Sequence, residues 1–394
     1  MIHRKMLPAE FLSHSIMNKK LKRIGKKILF IFTIIAIILF ILMLILFPSS
    51  RGTITNNNHA EVCEKTFLDI NDTKLGMVIK GAKADNPVLL FMGGGPGIPE
   101  YWMEYEYPTG IDEYFTVCYL CYRGTALSYD SDLPLETITS EQMKLDAVEV
   151  TDYLMERFNQ EKIYLMGHSF GTTIALKLAA EYPEKYKAYI AMGMSVDKVR
   201  SERKAYHYML EQYKKDGNKK MVSEMEQYYD LFSNENNDID MSCKEMHSYF
   251  AKTRDKAMHE NGVGTLHNMD SVITGIFFPT LKMTDFTQKE RLNIWRGKSF
   301  VSKADISSGN FKAVDVTKQL DIPFYVLAGK YDMTTDYELQ KEYFELVQAD
   351  IKGFYTFENS AHSPLFEEPE KAKKILSEDV INNKIYRSLH RMAL

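Results

Sequence analysis

The sequence predicts an α/β fold with a mostly parallel central sheet, and three observations carry that expectation. From Val62 onward, short apolar runs alternate with amphipathic stretches, the pattern of strands joined by crossover helices. One apolar run, Pro87–Met92, ends in the loop Gly93-Gly94-Gly95-Pro96-Gly97. Another, Lys162–Met166, leads straight into Gly167-His168-Ser169-Phe170-Gly171, a strand-to-helix turn that presents a serine hydroxyl at the end of a sheet.

In chain order, Val62–Ile70 and Lys74–Lys80 read as an opening hairpin turning at Asn71-Asp72, and Tyr114–Cys121 as a strand. Ser140–Phe158 reads as a helix with Ser140 as its N-cap and Met143, Ala147, Val150, Tyr153 and Leu154 on one face. Ile163–Met166 is the strand feeding the serine turn. The helix leaving that turn continues over Thr172–Tyr182 and is closed by Pro183, and Tyr186–Met194 is another strand.

Between about Ser195 and Val316 no central strand is expected. Val199, Tyr206, Met209, Leu210 and Tyr213 recur at helical spacing, Met221–Phe232 reads as a second helix, and a polar break follows at Ser233–Asp240. The sheet resumes at Ile322–Ala328. A helix at Tyr337–Val347, a strand at Gly353–Phe357 and a closing helix from Glu368 complete it. The expected organisation is one core, 61–194 and 317–394, interrupted by a helical lid at 195–316.

Ahead of the core lies a different kind of segment. Ile28–Phe47 is uncharged and interrupted only by Thr33. Twenty residues at helical rise span about 30 Å, the hydrocarbon thickness of a bilayer. Lys19, Lys20, Lys22, Arg23, Lys26 and Lys27 precede it, whereas only Arg51 follows before the Thr/Asn-rich stretch Thr53–Asn58. That asymmetry predicts a basic cytoplasmic tail over 1–27, a single-pass anchor over 28–47 contacting the lipid bilayer, a linker over 48–60 and an extracytoplasmic catalytic domain. A cleavable signal peptide is the rival reading, with a shorter apolar region and an A-x-A site that Phe47–Arg51 lacks.

Composition narrows the chemistry. A formal net charge of −4 over 394 residues gives no polyelectrolyte signature, so nucleic acid is not an expected partner. Neither a G-x-x-x-x-G-K-[ST] loop nor a G-x-G-x-x-G after a strand occurs. Of the 4 cysteines, Cys118 and Cys121 form a C-x-x-C inside a strand, where their side chains face opposite ways; buried free thiols are expected.

Acyl transfer by serine needs a base, a carboxylate that fixes the base's tautomer, and N–H donors for the oxyanion. In α/β sheets these sit on loops past the strands' C-terminal ends. Asp332 in Gly329-Lys330-Tyr331-Asp332 and His362 in Asn359-Ser360-Ala361-His362 both follow late strands, in the order Ser, Asp, His. Asp332 would otherwise cap the helix starting near Thr334 or Thr335. His168, inside the serine turn, is read as structural. No metal or organic cofactor is required by such chemistry.

The chain from Val62 onward resembles the α/β-hydrolase fold and, within it, the proline iminopeptidase-like branch. That branch carries H-G-G-P-G, D-Q-R-G-x-G-x-S and G-x-S-x-G; the matching stretches are Gly93–Gly97, Cys121–Ser128 and Gly167–Gly171. The resemblance implies Ser169 as nucleophile, Asp332 as orienting acid, His362 as base and acid, and the N–H groups of Phe170 and Gly95 as oxyanion hole, with Gly94 as runner-up. It implies a small-molecule or short-peptide substrate, with aminopeptidase chemistry ahead of carboxylic ester hydrolysis. Gly93 replaces the family's histidine, and Cys121-Tyr122 precede Arg123-Gly124. Aminopeptidases of this branch hold a free amine with lid carboxylates; Glu202, Glu211, Glu224, Glu226 and Glu245 are the candidates here. A non-catalytic ligand-binding surface protein on the same fold is the reading from another class, and lyase or perhydrolysis chemistry is a third.

Overall fold

Eight strands hydrogen-bond into one sheet in the order β1-β2-β4-β3-β5-β6-β7-β8. They are β1 (Val62–Ile70), β2 (Thr73–Gly81), β3 (Val88–Met92), β4 (Thr116–Leu120), β5 (Ile163–His168), β6 (Tyr186–Met192), β7 (Phe324–Gly329) and β8 (Lys352–Phe357). The pairings β1/β2 and β2/β4 are antiparallel and the other five are parallel. The opening hairpin turns on Asn71 (φ 48°) and Asp72 (φ 59°), the two positive φ values a two-residue hairpin loop demands and Asn and Asp tolerate best.

The structure is a computed structural model that describes residues 23–38, 48–56, 60–233, 239–304 and 309–385. The chain divides into two compact units, Met1–Ser49 and Ser50–Leu394. In the first, 23–38 is helical and exposes Ile28, Leu29, Phe30, Ile31 and Phe32. The anticipated anchor at 28–47 passes out of the described residues after 38, and most of the anticipated basic tail, 1–22, lies outside them too. Among the described residues no helix is long and apolar enough to cross a membrane. In the second unit, part of the stretch read as linker is tied down: Arg51 N–H donates to Thr284 O at 2.8 Å, Ser50 Oγ–H to Phe286 O at 2.6 Å, and Thr55 bonds Asp285.

Parallel strands buried on both faces need apolar residues throughout, and β3, β4, β5 and β7 are buried at every position. Alternation then divides the core. Leu90, Met92, Cys118, Leu165 and Val326 face one layer, with Val150 and Leu154 of α1 (Ser140–Arg157) and Ile174 and Leu178 of α2 (Phe170–Glu181). Leu89, Phe91, Cys121, Met166 and Leu327 face the other. Cys118 and Cys121 therefore stand on opposite sides of the sheet, both as free thiols. The N-cap of α1 is Thr139, whose hydroxyl accepts Gln142 N–H at 3.0 Å, and not the anticipated Ser140, which is already helical.

Between β6 and β7, adjacent in the sheet, the chain makes a helical insert. Its first helix, α3 (Lys198–Lys215), starts at the Asp197 cap. The anticipated helix Met221–Phe232 is two, Lys219–Glu226 and Tyr229–Phe232, broken at Tyr228 where the backbone leaves the helical region (φ −109°, ψ 9°). The insert has a core of its own: Tyr206, Met209, Tyr213, Met225, Phe232, Tyr249 and Met258 are buried together. The Tyr206 and Phe232 rings stack at 4.3 Å. Farther on, α4 (Gln288–Val301) carries a full capping box, Thr287 with Glu290. After β7, α5 (Tyr337–Leu346) is capped by Asp336, which leaves Asp332 available for another task.

Candidate active site

The serine turn is built by glycine. A β-carbon on Gly171 would stand 2.0 Å from the Met92 carbonyl oxygen, and one on Gly167 would stand 2.8 Å from Thr172 Cα. Only hydrogen fits at either position. The helix can therefore leave β5 directly, and Ser169 takes φ 53° and ψ −122°, a conformation that stores on the order of 1–3 kcal/mol. Its N–H donates to Met192 O at 3.0 Å, which pins the turn to the end of β6. Gly94 lies against it: a β-carbon there would stand 3.1 Å from Ser169 Cβ.

Two loops at the ends of β7 and β8 bring the acid and the histidine together. His362 Nδ1 lies 3.0 Å from Asp332 Oδ2, with both residues buried. Asp332 accepts further N–H bonds from Thr334 (2.8 Å) and Thr335 (3.0 Å) on Oδ1, and bonds from the Thr335 hydroxyl (2.7 Å) and Gln340 Nε2 (3.1 Å) on Oδ2. Burial works to raise this carboxyl, but His362 and the Thr335 donors outweigh it and hold it below the ordinary aspartate range. As an acceptor-only carboxylate it fixes the proton on His362 Nδ1. That leaves Nε2 with its lone pair, and Nε2 is buried without a hydrogen-bond partner.

The glycine loop after β3 supplies the third part. Gly94 N–H, the runner-up oxyanion donor, is already engaged: it donates to Glu100 Oε2 at 3.1 Å. Among the described residues the N–H groups of Gly95 and Phe170 donate to no protein acceptor, and Phe170 opens α2, where the helix leaves its first amides unpaired.

Glu100 went unnoticed in the sequence. It sits before the short helix Tyr101–Glu106, and its other oxygen, Oε1, lies 2.8 Å from His168 Nδ1. His168 Nε2 lies 3.1 Å from the His362 carbonyl oxygen, and the two imidazole rings are 4.9 Å apart. Burial works against the imidazolium of His168, but Glu100 outweighs it and raises the ring above the usual histidine range. The motif departure at Gly93 fits this arrangement: a side chain there would press on Glu100, with Cβ and Oε2 at 3.1 and 3.2 Å. Tyr122, the other departure, donates its hydroxyl to Gly93 O at 2.9 Å.

The insert reaches the site through its backbone. His362 N–H donates to Gly264 O at 3.2 Å and Met333 N–H to Val263 O at 3.4 Å, while the His267 ring stacks on Tyr331 at 4.1 Å. Of the five insert carboxylates noted in the sequence, Glu202 is buried and accepts from Nε and Nη2 of Arg254, each at 2.7 Å. Glu211, Glu224 and Glu226 pair with lysines near the surface, and Glu245 is exposed. Among the described residues no group of three His, Cys, Asp or Glu side chains is placed to hold a metal ion.

A serine on a strand-to-helix turn, with a buried Asp–His couple from the last two strands of a mostly parallel sheet, defines a class of enzyme-like α/β folds rather than one protein. The alpha/beta hydrolase fold family matches residues 87–369, and the chain belongs to that family. It is 28% identical over 322 residues to the Probable aminopeptidase YbaC of Bacillus subtilis (strain 168), covering 79% of this chain and 94% of that protein. Among solved structures, the proline iminopeptidase of Mycobacterium smegmatis superposes with a TM-score of 0.57 at 12% identity, over 81% of this chain and 98% of that one. A proline iminopeptidase-related protein of Thermus thermophilus gives 0.53 at 16%, over 81% and 97%. Likeness at that level shows the shared fold.

Proposed function

We propose that this chain is a serine hydrolase of aminopeptidase type, held to a membrane by residues 28–47 with its catalytic domain outward. The observation that carries the hydrolase reading is the buried Asp332–His362 couple, whose Nε2 is bare, together with a serine held at positive φ on the turn whose His168 meets the His362 carbonyl oxygen. In this reading His362 Nε2 takes the Ser169 proton as Oγ attacks a carbonyl carbon. Asp332 stabilises the imidazolium, and Gly95 and Phe170 N–H groups hold the oxyanion. His362 then protonates the leaving group, and water releases the acyl-enzyme. The Ser169 to Nε2 hydrogen bond is not formed in the resting geometry; such contacts tighten when substrate binds. A fluorophosphonate probe tests it: the wild type should be labelled and Ser169→Ala should not, and an unlabelled folded wild type would sink the reading.

The likeness to a protein named as a probable aminopeptidase supports the peptide substrate. One observation favours the ester alternative instead: none of the five insert carboxylates stands unpaired and buried to receive an amine. Turnover of aminoacyl-arylamides against acyl esters, with Ser169→Ala as blank, separates the two. For the anchor, the support is the charge-free run from Ile28 and the basic residues before it. Protease added to intact cells should degrade the domain beyond Phe47, and protection there would refute the outward orientation.

A further inference from the structure

The serine turn itself carries one member of a second acid–histidine couple, Glu100 with His168, that has no part in the steps above. We propose that Glu100 and His168 are a positioning couple that locks the oxyanion loop to the base loop and keeps the charge beside His362 balanced. The proposal rests on the serine-hydrolase reading and adds two residues to it.

The geometry is a chain of four groups. Gly94 N–H donates to Glu100 Oε2, Glu100 Oε1 meets His168 Nδ1, and His168 Nε2 meets the carbonyl oxygen of His362 itself. A carbonyl oxygen only accepts, so His168 Nε2 carries a proton. One further proton is shared between Nδ1 and the Glu100 carboxyl. The couple is thus neutral as a unit, with its side chains 5% and 4% exposed. A buried ion pair seldom stabilises a fold more than apolar side chains of the same volume do, so stability alone does not account for one here. Its placement does. Glu100 occupies the Gly94 amide and so holds the loop that carries the next amide, that of Gly95. His168 fixes the main chain that carries the base.

The charge balance has its own consequence. The titratable groups facing the couple are His362 and Asp332 from the β7 and β8 loops and Tyr122 from the strand-end loop beside it. Removing His168 alone leaves Glu100 unbalanced close to His362, and a negative charge there favours the imidazolium. Removing both restores neutrality.

The experiment is the rate of fluorophosphonate labelling of the full chain, measured from pH 5 to 9 with thermal melts on each variant. Labelled wild type with unlabelled Ser169→Ala establishes the hydrolase reading separately. Glu100→Gln can still accept from Gly94 and donate to His168 Nδ1, and is expected to keep the wild-type rate within about threefold. Glu100→Ala should lose roughly 10- to 100-fold, as displaced catalytic groups do. In His168→Gln the acid limb of the profile should move up by about half a pH unit or more, and Glu100→Gln/His168→Gln should bring it back. An acid limb that stays put in His168→Gln, or a Glu100→Ala rate equal to wild type, overturns the proposal while leaving the hydrolase reading intact. If wild type is not labelled, both fall.

Discussion

A β-carbon on Gly329 would stand 1.7 Å from the carbonyl oxygen of Ala361. This contact between the ends of β7 and the β8 loop brings Asp332, three residues on, to within reach of His362, one residue on. Tyr331 N–H donates to Ser360 O at 3.0 Å and closes the same junction. Gly329→Ala has to push one loop off the other. The expected loss is roughly 2–4 kcal/mol of stability, with labelling by fluorophosphonate slowed further because the couple is spread. Gly309→Ala, where an added β-carbon meets nothing within 4 Å among the described residues, is the control. Equal urea midpoints for the two variants would contradict the account.

Asp332→Asn keeps the size of the side chain and reverses its hydrogen bond to the ring, so the proton of neutral His362 moves to Nε2. Turnover should fall on the order of 10⁴-fold, the size of effect a misplaced tautomer produces in a serine triad. The same residue shapes acid stability. Its folded carboxyl sits below the ordinary range, so the stabilisation it brings is present above the unfolded aspartate value near 3.9 and is lost as pH falls through the folded one. Urea midpoints between pH 6 and 3 should fall more steeply for wild type than for Asp332→Asn.

Some of this site was legible in sequence because its signals are local. The serine turn is five consecutive residues, and Asp332 and His362 each follow an apolar run by a few positions. Glu100 and His168 lie 68 residues apart, and Glu367 meets His267 across 100. No spacing rule links such residues, since only the tertiary fold brings β3 beside β5 and the insert against the loop after β8. The same reasoning explains Gly94: its N–H is a fair oxyanion donor until the structure shows Glu100 accepting it. Met221–Phe232 has a continuous helical pattern, and the break at Tyr228 is set by packing, where its ring meets Tyr249 edge-on at 5.3 Å. The insert carboxylates were visible, but their lysine and arginine partners decide their role, and those pairings are tertiary.

Glu367 gives the site a pH dependence of a different sign. Its carboxylate accepts N–H bonds from His267 (2.6 Å), Ala361 (2.9 Å) and Ser363 (3.4 Å), gripping both neighbours of His362 and one strap of the insert. Burial nevertheless prevails over those donors and, with Asp332 adding to it, pushes the carboxyl up to about 7. The groups facing it are Asp332, Tyr107 and the His267 backbone. A carboxyl raised on folding binds a proton as the chain folds. Stability therefore falls as pH rises from the unfolded value, about 4.3, towards 7, and levels off above. Glu104, also raised to about 7 by burial, adds a similar slope. Glu367→Gln should remove roughly half of the combined slope in urea midpoints between pH 5 and 7.5. An unchanged slope would show that Glu367 titrates as an ordinary surface carboxyl.

The first half of the insert, 198–263, should melt by itself when its buried Glu202–Arg254 ion pair is broken. Arg254 places Nε and Nη2 on Glu202 and Nη1 on Asp255 at 3.0 Å, while its guanidinium lies over the Phe250 ring at 5.0 Å. Glu202→Ala leaves that cation buried with a single, half-exposed partner, a loss of about 3–5 kcal/mol. Because 199–263 packs around its own apolar cluster, whereas Leu266, Met269, Ile276, Met283, Phe286 and Ile294 share the core of the sheet, the loss should appear as protease sensitivity and fast amide exchange over 198–260, with the β5 and β7 amides still protected. Glu202→Leu/Arg254→Met, which removes both charges and keeps the volume, should recover most of the stability. Glu211→Ala, from an exposed pair with Lys215, should leave the melt where it was. If Glu202→Ala and Glu211→Ala melt alike, the pair does not hold the insert together.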